Sequence, residues 1–291
     1  MIDYNPKSWL GLIFDVYSRY VIKSLFPLLF FMVTFTALFC YLVLDYFKVE
    51  LVGTGAFHSI IGIVLGLFLV LRTNTAYDRW WEGRKQWGKL VNDCRALAMK
   101  IRTIFPDDPE TWQYFRDMIP NFCFATKEQL REGVLMEELD FDIEKDEKLV
   151  IKSDHRPNMI TTLMYELVLK KHREGKINGQ ELYILDHEIK GLVDVIGACE
   201  RIKTTPLPYS FSMYIKKFLF IFTMTLPMAL VQAFGYYTIG VVFVAFYILV
   251  SIELISEEIE DPFGRDINDL PTDTLCVKIK KNVREILTHD D

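Results

Sequence analysis

Between Lys23 and Asp45 the chain carries no charged residue; the stretch reads SLFPLLFFMVTFTALFCYLVL. The same holds between Glu50 and Arg72, where His58 is the one polar break of note, and between Lys217 and Glu253. A helix needs about 20 apolar residues to cross roughly 30 Å of hydrocarbon, and soluble cores rarely carry three such runs. The first two runs each fit one crossing. The third would reach about 50 Å as a single helix at 1.5 Å per residue, which is too long for one crossing. AFGYY lies at its middle, so it is predicted to fold as a tight hairpin, 218–234 and 235–254. The expected fold class is an all-α membrane protein with four transmembrane helices and a helical cytoplasmic bundle.

Lys and Arg near the span ends set the orientation, because cytoplasmic flanks carry the excess of positive charge. Lys7, Arg19 and Lys23 precede the first span, while Arg72, Arg79, Arg84 and Lys85 follow the second. Lys203, Lys216 and Lys217 precede the third, and the opposite loops, 46–56 and 234–238, hold only Lys48. Both termini and residues 72–216 are therefore expected in the cytoplasm, with the chain passing several times through the cell's inner (plasma) membrane. The start, MIDYNPKSWLGLIFDVYSRY, lacks a signal peptide's basic beginning and small-residue cleavage site. A net charge of −6 argues against nucleic acid as a partner. The five Cys have no paired spacing, so neither a disulfide framework nor a zinc site is expected.

The polar middle reads as helices. After span two, Trp80, Trp87, Leu90, Cys94, Leu97 and Ile101 recur at three- and four-residue steps. PDDPE ends that helix and starts another over 109–132; 133–156 reads as a loop. A helix ended by Gly175 follows, then one capped by Asn178 that runs to about 202, and TTPLPYSF breaks it. The expected organisation is an N-terminal interfacial helix and spans one and two (1–75), a cytoplasmic helical region (76–216), spans three and four (217–254), and an acidic turn with a cytoplasmic tail (255–291).

Enzyme chemistry is absent from the motifs. GTGAFHS lacks the Lys-Ser/Thr ending of a phosphate loop, there is no Gly-x-Ser-x-Gly, and the five His have no ligand spacing. The segment 255–273 holds Glu257, Glu258, Glu260, Asp261, Asp266, Asp269 and Asp273 around a Pro-Phe-Gly turn. Such clustered hard oxygen ligands suit a divalent cation; they equally suit a solvated linker whose Asp residues cap short helices. A membrane-anchored metal-dependent hydrolase using the 257–273 carboxylates is the alternative function. It needs a nearby base, and no His lies between His187 and His289. A transporter would need an internal repeat or charges within the spans, and neither is seen.

The junction of span two with its polar continuation is what an ion pathway reaching beyond the bilayer requires. Ile63, Leu67 and Leu71 fall at four-residue steps on one stripe. Around an axis shared by several copies they make an apolar throat that gates by dewetting; alone, they make a stripe facing lipid or a neighbour. Gly62 and Gly66 offer a close helix-packing face. Arg72 and Asn74 are expected just below the throat, and Trp80 and Trp81 are expected to pack the bundle.

FLVLRTNTAYDRWWEGRKQWGKLVNDCR, GACERIKTTPLPYSF and IEDPFGRDINDLPTD, in this order, resemble the bestrophins, specifically the bacterial branch, over about residues 8–285. The resemblance implies a homopentameric ion channel rather than an enzyme, with one pore on the fivefold axis and a long cytoplasmic vestibule. Its partners would be further copies of itself, the lipid bilayer and permeant monovalent ions. Counting back from Arg79-Trp80-Trp81 puts the family's pore neck on Ile63, Leu67 and Leu71, with Ile60, Val64 and Phe68 as the other register. The family's cytosolic constriction falls at about Gln180 with Ile177 as its apolar neighbour; a Gln there departs from an apolar ring. In animal members an acidic cluster and a backbone oxygen near the N-terminus clasp Ca²⁺, and its carboxylates match Asp266 and Asp269. Arg265 stands where an acidic residue should follow Pro-Phe-Gly, which weakens such a site and lets Arg265 pair with neighbouring carboxylates. No cofactor is required, a divalent cation at this turn being the one candidate. Animal members favour anions such as chloride, whereas the bacterial branch includes channels for monovalent cations. An acidic chain concentrates cations, and the expectation here leans to cations.

Overall fold

The computed structural model describes residues 16–51, 54–131, 133, 136–141 and 143–288. Lys7, the interfacial helix expected ahead of span one up to residue 15, and His289 lie outside the described residues. Among the described residues every regular element is helical. They are α1 (Val16–Tyr41), α2 (Thr54–Ile104), α3 (Pro109–Arg131), α4 (Glu144–Lys152), α5 (Arg156–Arg173), α6 (Gly179–Thr204), α7 (Tyr209–Phe234), α8 (Thr238–Glu260) and α9 (Thr272–Leu287). They form two units: α1, α2 up to Arg79, α7 and α8 make the apolar one, and α2 from Trp80, α3–α6 and α9 make the polar one.

In the apolar unit, Val21, Leu25, Leu29 and Met32 of α1 pack against Leu226 of α7 and Val242 and Phe246 of α8. Leu65 and Leu69 of α2 pack against Ile215 and Leu219. The third uncharged run folds as the expected hairpin: α7 stops at Phe234, Gly235 adopts φ +53°, and a short turn to Tyr237 starts α8. At the same end α1 closes with a wide turn in which the Phe47 N–H reaches the Leu42 carbonyl. The Gln232 side chain donates to the Val49 carbonyl at 2.8 Å, and the Tyr236 hydroxyl bonds Asp45. Outside this core Phe26, Phe30, Leu38, Phe220 and Ile221 are exposed. Soluble monomers rarely expose so much contiguous apolar surface. Val21–Tyr46, Gly55–Ile104 and Tyr209–Glu260 are helical stretches long and apolar enough to cross a membrane.

In the polar unit the expected stripe of α2 forms one wall of the core: Trp87, Leu90, Cys94, Leu97 and Ile101 are fully buried, and Trp80 packs against them. Gly83 is required by space here, because a Cβ would stand 3.2 Å from Phe263 and Pro262. All five cysteines are free and buried. Asn178 caps α6 through a reciprocal capping box with Glu181. Two elements differ from expectation. The segment read as a loop contains α4, an acidic nine-residue helix whose Val150 is buried. The segment read as a tail contains α9, which packs on α3 and buries Cys276, Ile279, Val283 and Leu287. α4 is short and mostly charged, so Val150 alone anchors it, whereas α9 is a longer amphipathic helix with its buried residues at three- and four-residue steps.

α3 carries a cation into this core. The Lys127 side chain is fully buried, 3.3 Å from Glu128 and 2.9 Å from Asp273, and also bonds Glu138. Arg131, one turn on, grips Asp273 with two nitrogens at 3.0 and 2.8 Å. The two cations hold the Asp273 carboxyl well below the usual carboxylate range. Removing Lys127 leaves Glu128 buried without that cation, while Asp273 and Glu138 keep contact with water, so the cost is about 1–3 kcal/mol. Lys127→Met is therefore expected to lower the melting midpoint of the detergent-solubilised protein, and adding Glu138→Gln should recover part of the loss. An unchanged midpoint in the single variant would show that the network contributes nothing.

Candidate functional site

One long face of α2 touches nothing else in the apolar unit. Ile63, Leu67 and Leu71 are 68%, 62% and 56% exposed. At 1.5 Å per residue they mark about 12 Å of helix length. The residues behind them, Leu65, Leu69, Arg72 and Ala76, are buried. The other candidate stripe is divided. Ile60 and Val64 are exposed, but Phe68 turns inward, its ring 6.3 Å from that of Phe218 and edge-on to it. The Gly62–Gly66 pair is divided too: a Cβ on Gly62 would meet Phe222 at 3.4 Å, whereas Gly66 has nothing within 4 Å.

Arg72 was expected beside Asn74 under the throat, and only Asn74 is on the open face. Arg72 is 1% exposed. Its guanidinium sits 3.6 Å from Glu253 and 2.6 Å from Glu260, both on α8. Glu260 also accepts the Leu207 N–H at 2.8 Å, and its carbonyl accepts from Arg79 Nε at 3.1 Å. Thr73 and Ser256 hydrogen-bond alongside at 3.0 Å. The cause is angular: Arg72 is one residue from Leu71, and 100° of rotation takes it off the open face. A charge next to an apolar run was the available signal, but its partners lie some 180 residues away. The paired tryptophans part company as well: Trp80 packs and donates to the Asn268 carbonyl at 2.9 Å, while Trp81 is exposed.

The other candidate positions lie in the polar unit. Gln180 is exposed in the first turn of α6, its N–H held by the Asn178 side chain at 2.9 Å. Ile177 is 4% exposed and belongs to the core, while its carbonyl accepts from His172 Nδ1 at 2.9 Å. Its side chain is thus committed inside the subunit, which removes it as the apolar neighbour of a constriction.

The acidic turn is built around Asp269. This carboxylate is 2% exposed and accepts the Asp266 N–H at 2.5 Å. Gly264 packs so close that a Cβ would lie 2.7 Å from Asp269 Oδ2. Asp266 itself is exposed. Arg265 approaches Glu128 of α3 at 3.8 Å, rather than a carboxylate of its own turn. Among the described residues no three His, Cys, Asp or Glu side chains converge as a metal site. One carboxylate consumed by the turn, one pointing out and a cation directly before them in sequence do not fit a divalent ion. Other acidic residues of the segment are engaged: Glu257 binds Lys216 at 2.9 Å, and Asp273 binds Arg131, while Asp261 is exposed.

Comparison with known proteins places this geometry. A family model described as bacterial/fungal bestrophin protein matches residues 1–285. A voltage-dependent anion channel-forming protein of Nostoc is 38% identical over 229 residues, 77% of this chain and 75% of that one. One from Ralstonia nicotianae is 35% identical, covering 79% and 76%. A crystal structure of a bacterial bestrophin homolog from Klebsiella pneumoniae superposes with a TM-score of 0.83 at 27% identity, covering 90% of this chain and 98% of that one.

Burial, with Asp266 and Asp261 nearby, pushes the Asp269 carboxyl from its ordinary value of 3.8 up to about 6. The folded turn thus keeps its proton to a higher pH than the unfolded chain does. Stability is lost as pH rises from about 4 to about 6, and the penalty is complete above that window. Asp269→Asn keeps the acceptor without the charge. It is expected to raise the melting midpoint at pH 7.5, by up to about 3 kcal/mol of stability, and to leave it unchanged at pH 4. A lower midpoint at both pH values would show that the charge itself holds the turn.

Proposed function

This chain belongs to the bacterial and fungal bestrophin family, and from that membership we propose that it is the subunit of a pentameric ion channel with one axial pore. The observation that carries the reading is the open apolar stripe of α2. Ile63, Leu67 and Leu71 have no partner in their own subunit, and five copies around an axis would give each a place as a ring in a dewetting neck. Lipid alone does not explain why this face continues past the apolar stretch into exposed Asn74 and Asp78. The reading includes four crossings, by α1, the first part of α2, α7 and α8, in the cell's inner membrane with both termini in the cytoplasm. It includes residues 76–216 and 255–291 as the cytoplasmic part. Gln180 forms a polar second narrowing there without Ile177.

The permeant species are small monovalent ions, and the acidic balance of the chain, −6 overall, favours cations. The relatives' printed names favour anions, the second reading. The carboxylates of 257–273 serve as counter-ions and caps, so calcium is not the stimulus; relatives named as channel-forming proteins leave the hydrolase reading without support. Bilayer recordings in asymmetric NaCl test the class and the sign together. Native mass measurement should find five chains of 34.1 kDa, and currents should be the same in calcium and in chelator. A stable monomer without conductance would end the reading.

The neck makes its own prediction. Ile63→Ala/Leu67→Ala/Leu71→Ala should pass more current than the parent and discriminate less among ions of one sign, because a wider throat dewets less readily. Exposed side chains contribute little to folding, so each truncation should change stability by no more than about 0.5 kcal/mol. The Ile60→Ala/Val64→Ala/Phe68→Ala variant should instead lose stability through Phe68. If the first variant conducts like the parent, the stripe is not the gate.

A further inference from the structure

The open face of α2 does not end at Leu71. Seven residues at 100° each make 700°, only 20° short of two turns, so Asp78 lies on the same stripe about 10.5 Å farther along. Asp78 is exposed, and no described residue hydrogen-bonds or ion-pairs with its carboxylate. Within the apolar unit this sets it apart from Glu253, Glu257, Glu258 and Glu260; Asp261, the first residue of the polar unit after α8, is exposed too but does not belong to α2. Glu253 and Glu260 face Arg72, Glu257 holds Lys216, and Glu258 has a partner of its own. The adjacent cation, Arg79, is turned away to the Glu260 carbonyl. The next cation along the stripe, Lys85, is paired with Glu82 at 2.5 Å.

We propose that Asp78 is the specificity-determining residue of the pore: five of its carboxylates, ringed just beyond the apolar neck, select monovalent cations over anions. The proposal rests on the channel reading above and adds to it the residue that sets the sign. Neck side chains offer no charge of either sign, so the first unpaired charge that an ion meets on leaving them decides which ion accumulates. Screening over about 8 Å at physiological salt lets the ring act on the pore axis and on the neck's mouth, and little beyond. The neck thus controls how often ions pass, and the ring controls which.

The test uses the purified full chain in planar bilayers under a NaCl gradient. The parent should reverse on the sodium side. Asp78→Asn should conduct with a cation-to-anion permeability ratio about tenfold lower. Asp78→Glu should keep the parent's reversal potential, and Asp78→Lys should reverse on the chloride side. The difference between parent and Asp78→Asn should shrink toward 1 M salt, where screening acts over about 3 Å. Currents that persist in Asp78→Asn and Asp78→Lys with an unmoved reversal potential would overturn the role of Asp78 and leave the channel intact. A parent that already reverses on the chloride side would overturn it as well. A parent that passes no current under any condition would remove the channel reading itself.

Discussion

The contact of Arg72 with Glu253 and Glu260 is the constraint on which the apolar unit turns. A helix that is apolar on every side carries no amphipathic instruction about which face to bury. In α2 one guanidinium supplies it. Leu65, Leu69, Arg72 and Ala76 share the buried side, so Ile63, Leu67 and Leu71 are left on the outside. Rotating α2 by a single residue would strip Arg72 from both carboxylates and leave three charges buried without compensation, which costs several kcal/mol. The outward aim of Ile63, Leu67 and Leu71 is therefore fixed by a charge that none of them touches. Glu260 extends the same lock to the entry of α7 through the Leu207 N–H.

The polar unit uses the same device with one more charge of each sign. There Lys127 and Arg131 answer Glu128, Glu138 and Asp273 where α3 meets α9. In the sequence these acidic residues look like a supply of ligands; in the fold most are spent on cations or on backbone N–H groups. Counting carboxylates therefore overstates what is available to an ion in solution. What counts is which of them stay unpaired on an open face.

The parts of the fold that were legible in the sequence are those set by strong local physics. Charge-free runs gave the length of the apolar helices, Gly235 gave the hairpin, and Asn178 with Glu181 gave the start of α6. The stripe from Trp87 to Ile101 was readable because it stands out against polar neighbours. Within the apolar half of α2 the same periodicity is mute, and the neck register came from resemblance rather than from pattern. The burial of Arg72, Ile177 and Asp269 was not legible for one reason: each was placed by its neighbours in sequence, whereas long-range partners or core packing decide where it points. The helix α4 was missed because charge hides its narrow apolar edge, while α9 carries a readable stripe from Cys276 to Leu287.

Lys127 and Asp273 are separated by 146 residues. A ribosome adding about 5–20 residues per second needs roughly 7–30 seconds to cover that interval. Throughout it α3 exists with its lysine already made, and the apolar helices α7 and α8 are made in between. Glu138, eleven residues on, is the nearest early counter-ion. The polar unit is thus a structure whose first and last pieces are manufactured on either side of the apolar α7–α8 hairpin. Its long-range contacts make its assembly late by construction, so a nascent chain paused before α9 would display α3's unfinished face to whatever chaperone or protease is present.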